Sequence, residues 1–90
     1  MYKRQTEAPS EVTNVSHSID GTTVTLSWTN PLDEDFSHVV VTRNVAVVGA
    51  QIEDGTFSES VTVSGAHTYI LQTVDINGNM SDGIAYDLTV

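Results

Sequence analysis

The stretch that most constrains this chain is Thr23–Thr29, reading TVTLSWT. Val24, Leu26 and Trp28 fall on one side, and Thr23, Thr25, Ser27 and Thr29 on the other. Strict alternation of apolar and polar residues, rich in β-branched and aromatic types, specifies a half-buried strand. The only tryptophan of the chain sits on the apolar face. Burying such a ring removes on the order of 150–250 Å² from water, worth several kcal/mol at roughly 25 cal/mol per Å². A small domain holds only about 5–15 kcal/mol of net stability, so Trp28→Ala is expected to come close to unfolding it.

The other segments repeat this grammar. Residues 1–8 show no periodicity and read as a linker or disordered tail, with the folded domain running from Pro9 to Val90. Val12 and Val15 are three apart, which predicts a bulge near Thr13–Asn14 in the first strand. Asp20-Gly21 then predicts a type I′ hairpin into the tryptophan strand, with positive φ at both central residues. Asn30-Pro31 ends that strand, because proline has no N–H to give a ladder. The third strand spans Ser37–Arg43, with Val39 and Val41 inward and Phe36 at its entry. Asn44–Val48 suggests a short further strand. Asp54-Gly55 is a turn, followed by Phe57 and by Val61 alternating with Val63. Gly65-Ala66 leads into His67–Asp75, where Tyr69, Leu71 and Thr73 share a face. After the turn signal Asn77-Gly78, Ile84, Tyr86, Leu88 and Val90 alternate in the last strand. Seven short strands with frequent turns and no helical period specify a single all-β sandwich.

Composition narrows the function classes. There is no cysteine, so neither a disulfide framework nor a thiolate metal site is available. No run approaches the roughly 18 apolar residues of a membrane span, and the polar start MYKRQTEAPSE does not read as a secretory leader. The net charge is −9, and all but one of the 12 acids follow Ala8, against the single Arg43. Such a surface repels phosphate backbones, which argues against a nucleic-acid partner.

The segments APSEVTNV (8–15), TVTLSWTNPLDEDFSHVVVTR (23–43) and TYILQTVDINGNMSDG (68–83) together resemble a fibronectin type III domain of the kind found in bacterial and phage surface proteins. The resemblance implies an immunoglobulin-like β-sandwich of seven antiparallel strands, the first, second and fifth packed on the third, fourth, sixth and seventh. It also implies a spacer, adhesion or protein-contact role. Two departures stand out. His67 occupies the position where the family usually has a tyrosine that ties down the loop before the sixth strand, unless Tyr69 takes that role, and residues 44–56 match poorly. No Arg-Gly-Asp triplet is present, so integrin binding has no support.

Candidate sites are few. Asp75, Asn77, Asn79 and Asp82 place four oxygen-bearing side chains in eight residues, the one arrangement that invites calcium. The same residues are turn formers, and the helix-flanked calcium loop would need glycine where Met80 stands and glutamate where Tyr86 stands. Asp33, Glu34 and Asp35 read as a solvated acidic loop. His17, His38 and His67 fall on different strands without metal-ligand spacing. Asn14-Val15-Ser16 and Asn79-Met80-Ser81 match the glycosylation sequon, but chance occurrence explains both. Tyr69 and Tyr86 fall on inward faces, away from any sugar-stacking role. No serine has the context of a nucleophile elbow, and a sandwich this small has little room for a cleft of about 300 Å³.

These readings converge on a non-catalytic, cofactor-free accessory module of a larger extracellular, cell-surface or phage virion protein. The expected partners are other domains of the same protein, and a cell-surface protein or polysaccharide. The acidic loops and the valines of Val45–Val48 are the expected contact points. The alternative is a carbohydrate- or cell-wall-binding adhesion domain of a secreted hydrolase or phage tail protein.

Overall fold

The computed structural model describes residues 9–90; the tail expected for residues 1–8 lies outside them. Seven strands follow one another: β1 (Thr13–Asp20), β2 (Thr23–Thr29), β3 (Phe36–Arg43), β4 (Ala46–Ile52), β5 (Thr56–Ser60), β6 (Ala66–Asp75) and β7 (Ile84–Thr89). One sheet has the order β1-β2-β5 and the other β4-β3-β6-β7, every pair antiparallel. This is the sandwich of seven antiparallel strands expected from the sequence, with the first, second and fifth strands in one sheet and the third, fourth, sixth and seventh in the other.

The inward residues of both sheets meet in one core. Val24, Leu26 and Trp28 of β2 join Val39 and Val41 of β3, Tyr69 and Leu71 of β6, and Leu88 of β7, with Val12 and Val61 closing the ends. Trp28 keeps only 7% of its surface exposed. Its one polar atom is satisfied: the indole Nε1–H donates to Asn30 Oδ1 at 2.7 Å, and Asn30 Nδ2 in turn donates to the carbonyl of Glu53 at 3.0 Å. The asparagine that ends β2 thus pairs the buried tryptophan and anchors the β4–β5 connection, and a buried N–H left unpaired is a large cost.

The bulge expected at Thr13–Asn14 is present: the β1–β2 register shifts between Thr13 and Ser16, and Asn14 takes φ 55°. The β1–β2 turn differs from the expectation. Its central residues are Gly21 and Thr22, since Asp20 pairs with Thr23, and of these only Gly21 has positive φ (64°). That is the pattern of a type II′ hairpin, with glycine at the first central position.

Three further expectations are corrected around β3–β5. Asn44 and Val45 form a turn, not the start of a strand; both have left-handed φ (50° and 69°), and Arg43 pairs with Ala46 across them. Asparagine tolerates that conformation, whereas a β-branched residue is strained there by about 1–2 kcal/mol. The strand that follows is longer than expected and is bulged twice against β3, because Gly49 pairs with Val41 and Ile52 with Val39. Scattered apolar residues are what two extra residues in a strand produce, since each bulge resets the alternation. Val48 packs against the core, and only Val45 and Val47 of that group project outward. Finally, β5 stops at Ser60, so Val61 is buried while Val63 lies beyond the strand and is exposed.

Candidate functional site

Strand ends decide where the functional side chains gather. One end of the sandwich collects the start of β1, the β2–β3 and β4–β5 connections and the β6–β7 loop. Glu11, Asp33, Glu34, Asp35, Glu53, Asp54, Asp75 and Asp82 all lie there, leaving Asp20, Glu59 and Asp87 for the rest of the folded domain. The up-and-down run of strands, crossing between the two sheets, brings together acids that are scattered along the chain. The opposite end holds the β1–β2 turn, the Asn44–Val45 turn, the β5–β6 connection and Val90, whose N–H and C=O both pair with Gly65.

At the acidic end three of the carboxylates, Glu11, Asp33 and Asp75, are structural ties. Asp33 accepts from the Ser10 N–H (2.8 Å) and from its Oγ (3.0 Å), fastening the incoming chain to the β2–β3 loop. Glu11 accepts from Ser81 Oγ (2.7 Å) and the Gly83 N–H (3.0 Å), while Ser81 Oγ accepts from the Thr73 N–H (2.9 Å). Glu34 and Asp82 extend from this end into solvent or half-exposed loop positions.

The four calcium candidates fold into one loop but not into one ligand set. Asp75 is buried; its Oδ1 accepts from the N–H groups of Asn77 and Asn79, both at 2.9 Å, and its Oδ2 from Asn79 Nδ2 at 3.0 Å. An amide donor cannot also face a cation. Asn77 and Asp82 are exposed and Asn79 is half-buried. The carboxylate shapes the turn, as aspartate does when it hydrogen-bonds the backbone two residues on.

The three histidines have separate partners. His17 Nδ1 lies 2.6 Å from Tyr86 Oη, and the rings meet edge to face, linking β1 to β7 where the two sheets end. His38 Nδ1 contacts Ser37 Oγ at 2.9 Å. His67 is buried and supplies the tie that its sequence position left in question: Nε2 donates to the Val63 carbonyl at 2.8 Å, fixing the β5–β6 connection. Its Nδ1 accepts from Asn44 Nδ2 at 3.0 Å, and Asn44 Oδ1 accepts from the Thr68 N–H. One imidazole therefore holds the Val63 and Asn44–Val45 segments together. The sequon asparagine Asn14 is exposed and sits 3.4 Å from Thr29 Oγ1.

Sequence reasoning passed over one charged cluster. Tyr69 of β6 is fully buried and donates from Oη to Glu59 Oε2 of β5 at 2.7 Å. Arg43 of β3 lies 3.0 Å from the same oxygen in an ion pair whose N–H groups are not aligned for a hydrogen bond. Burial, reinforced by the hydrogen bond to Glu59 and its charge, pushes the Tyr69 hydroxyl up to about 12, with Arg43 pulling the other way. The only signal in the sequence was that Arg43 is the sole Lys or Arg after position 4. Among the described residues no group of three or more His, Cys, Asp or Glu is placed to hold a metal ion.

No family model and no curated protein matches the sequence. Solved structures share its fold, among them the two described next. The Clostridium perfringens spore cortex lytic enzyme SleM superposes with a TM-score of 0.82 at 20% identity, over 92% of this chain and 29% of that one. The rat CD45 extracellular region, domains d3–d4, superposes with a TM-score of 0.73 at 11% identity, over 94% of this chain and 51% of that one. This chain thus spans less than a third of the first and about half of the second. No helix among the described residues is long and apolar enough to cross a membrane.

Proposed function

We propose that this domain is a non-catalytic accessory module of a larger extracellular, cell-surface or virion protein, acting as a spacer and contact surface. The observation that supports this reading most is the asymmetry of coverage: nearly all of this chain superposes on a minor part of a lytic enzyme and on half of an extracellular fragment. A fold that recurs as one piece of longer chains is used as a module, and the fold itself does not carry the activity. The polar groups of the acidic end support the same reading, because Asp33, Glu11 and Asp75 are engaged in holding loops and not poised around a reacting atom.

A second reading is favoured by the enzyme neighbour: a cell-wall- or carbohydrate-binding domain that holds a hydrolase on its substrate. Co-sedimentation of the purified domain with whole cells, cell-wall preparations and insoluble polysaccharides, with and without salt, separates the two. Saturable retention on wall or polysaccharide establishes the binding-domain reading. Absence of retention on all of them leaves the spacer and protein-contact reading. Hydrolysis of any of these materials by the purified domain overturns both.

A further inference from the structure

Among the asparagines of the chain, Asn77 alone is followed by glycine; Asn14 and Asn44 precede valine, Asn30 precedes proline and Asn79 precedes methionine. Asparagine is chemically labile because the backbone nitrogen of the next residue can attack its side-chain amide carbon, and a glycine there has no Cβ to obstruct the approach. Valine crowds that approach, and proline has no N–H to lose. Asp20-Gly21 and Asp54-Gly55 share the glycine but present carboxylates, which resist a nitrogen nucleophile at neutral pH. Asn77 and Gly78 are both exposed, and a Cβ on Gly78 would meet nothing within 4 Å. The fold nevertheless holds the reacting groups apart. The Gly78 N–H donates to the Asp75 carbonyl at 3.0 Å, closing a turn whose central residues, Ile76 and Asn77, both lack positive φ. This is the type I pattern, with ψ of about 0° at the second central residue. Ring closure needs the Gly78 nitrogen nearly eclipsed with Asn77 Cβ about the Cα–C bond, a rotation that breaks the turn. Asp75 Oδ1 locks the same loop by accepting from the Asn77 and Asn79 N–H groups, both at 2.9 Å.

We propose that Asn77 is a site of self-modification, converting through a cyclic imide to aspartate and isoaspartate, and that Asp75 is the lock that sets its rate. In the open loop the Gly78 nitrogen, its proton lost to water, bonds to Asn77 Cγ. The Cγ–Nδ2 bond breaks and ammonia departs. Water then opens the imide. Breaking the bond from the Gly78 nitrogen to Cγ yields aspartate. Breaking its bond to the backbone carbonyl carbon leaves isoaspartate, with the chain routed through Cβ and one atom longer. The net change is one water consumed and one ammonia released, with no oxidant or reductant. Either product adds a negative charge two residues from the buried Asp75 carboxylate, and isoaspartate also lengthens the turn that Gly78 closes. The loop therefore records how often it has opened, as an irreversible change of charge and backbone length at the acidic end. This is independent of the accessory-module reading, which stands or falls on co-sedimentation.

The test incubates the purified domain in warm, mildly alkaline buffer, native and in urea, and follows each asparagine by peptide mass spectrometry with isoaspartyl methyltransferase labelling. Conversion at Asn77 is expected to exceed that at every other asparagine, and to run about tenfold or more faster in urea, where the loop is open. Gly78→Ala is expected to suppress it in both conditions, because the added Cβ obstructs the attacking nitrogen. Asp75→Ala, shown to be folded by circular dichroism, is expected to convert faster than the parent under native conditions. If that variant does not fold, the ratio of urea to native rates in the parent decides. Conversion centred on another asparagine, or none in urea, overturns the site. Equal rates in native buffer and urea, or a folded Asp75→Ala protein no faster than the parent, overturn the lock.

Discussion

Tyr69 Oη lies 2.7 Å from Glu59 Oε2, and this hydrogen bond ties β6 of the larger sheet to the edge strand β5 of the smaller one. The proton it uses makes the link pH-dependent. Tyr69 titrates near 12 in the folded protein, raised by burial and by Glu59, against about 10 in the unfolded chain. Between those values the folded state binds the proton more tightly. The stabilisation is therefore complete below pH 10 and disappears as the pH rises through 12, a loss of about 2–3 kcal/mol. Urea unfolding from pH 9 to 12 should show this decline, and Tyr69→Phe should show less of it, at a cost near neutrality of about 1–2 kcal/mol. Parallel pH profiles for the two proteins would refute the assignment.

His67 is expected to be the Nε2–H tautomer, because the Val63 carbonyl can only accept and Asn44, oriented by the Thr68 N–H, presents a donor to Nδ1. Long-range ¹H–¹⁵N spectra of the imidazole read this directly at neutral pH. His67→Phe keeps a ring in the site but strands the Val63 carbonyl and the Asn44 amide, and should destabilise by about 2–3 kcal/mol. A variant as stable as the parent would show that the tie contributes nothing.

Two glycines with positive φ should respond differently to alanine. Gly83 (φ 98°) is packed so that a Cβ would stand 2.6 Å from Ile70 Cγ2 and 2.9 Å from Gln72 Cγ, whereas a Cβ on Gly78 (φ 86°) would meet nothing within 4 Å. Gly78→Ala should carry only the backbone strain, about 1 kcal/mol, and Gly83→Ala that strain plus overpacking, about 2–4 kcal/mol. Thermal melts of both, ordered the other way, would show that the β7 entry is looser than drawn.

Calcium is expected to leave the melting midpoint unchanged relative to chelator, because the Asp75 carboxylate already faces three N–H donors. A cation held at a hundred times its dissociation constant would add about 2.7 kcal/mol. A midpoint raised by several degrees in calcium would restore the Asp75–Asp82 loop as a metal site.

Local pattern carried the sequence a long way. The alternation in Thr23–Thr29, the valines of β3 and the Tyr69-Leu71-Thr73 face fixed three central strands and their inward sides, because a period of two leaves no other way to bury those residues. Gly and Asn placed the turns. Sequence also bounded function, through acidity and the lack of cysteine. What it determined poorly was β4, where two bulges erase the period, and the turn type at Gly21-Thr22, which depends on strand register. Only the tertiary structure decided which distant residues meet. Acids at positions 11, 33–35, 53–54, 75 and 82 became one charged end, and Arg43, Glu59 and Tyr69 became an inter-sheet link. His67 became the clasp between two loops that leave valines in solvent. The reason is physical: strand formation is read from neighbours two residues apart, whereas electrostatics and docking surfaces depend on pairings between residues tens of positions apart.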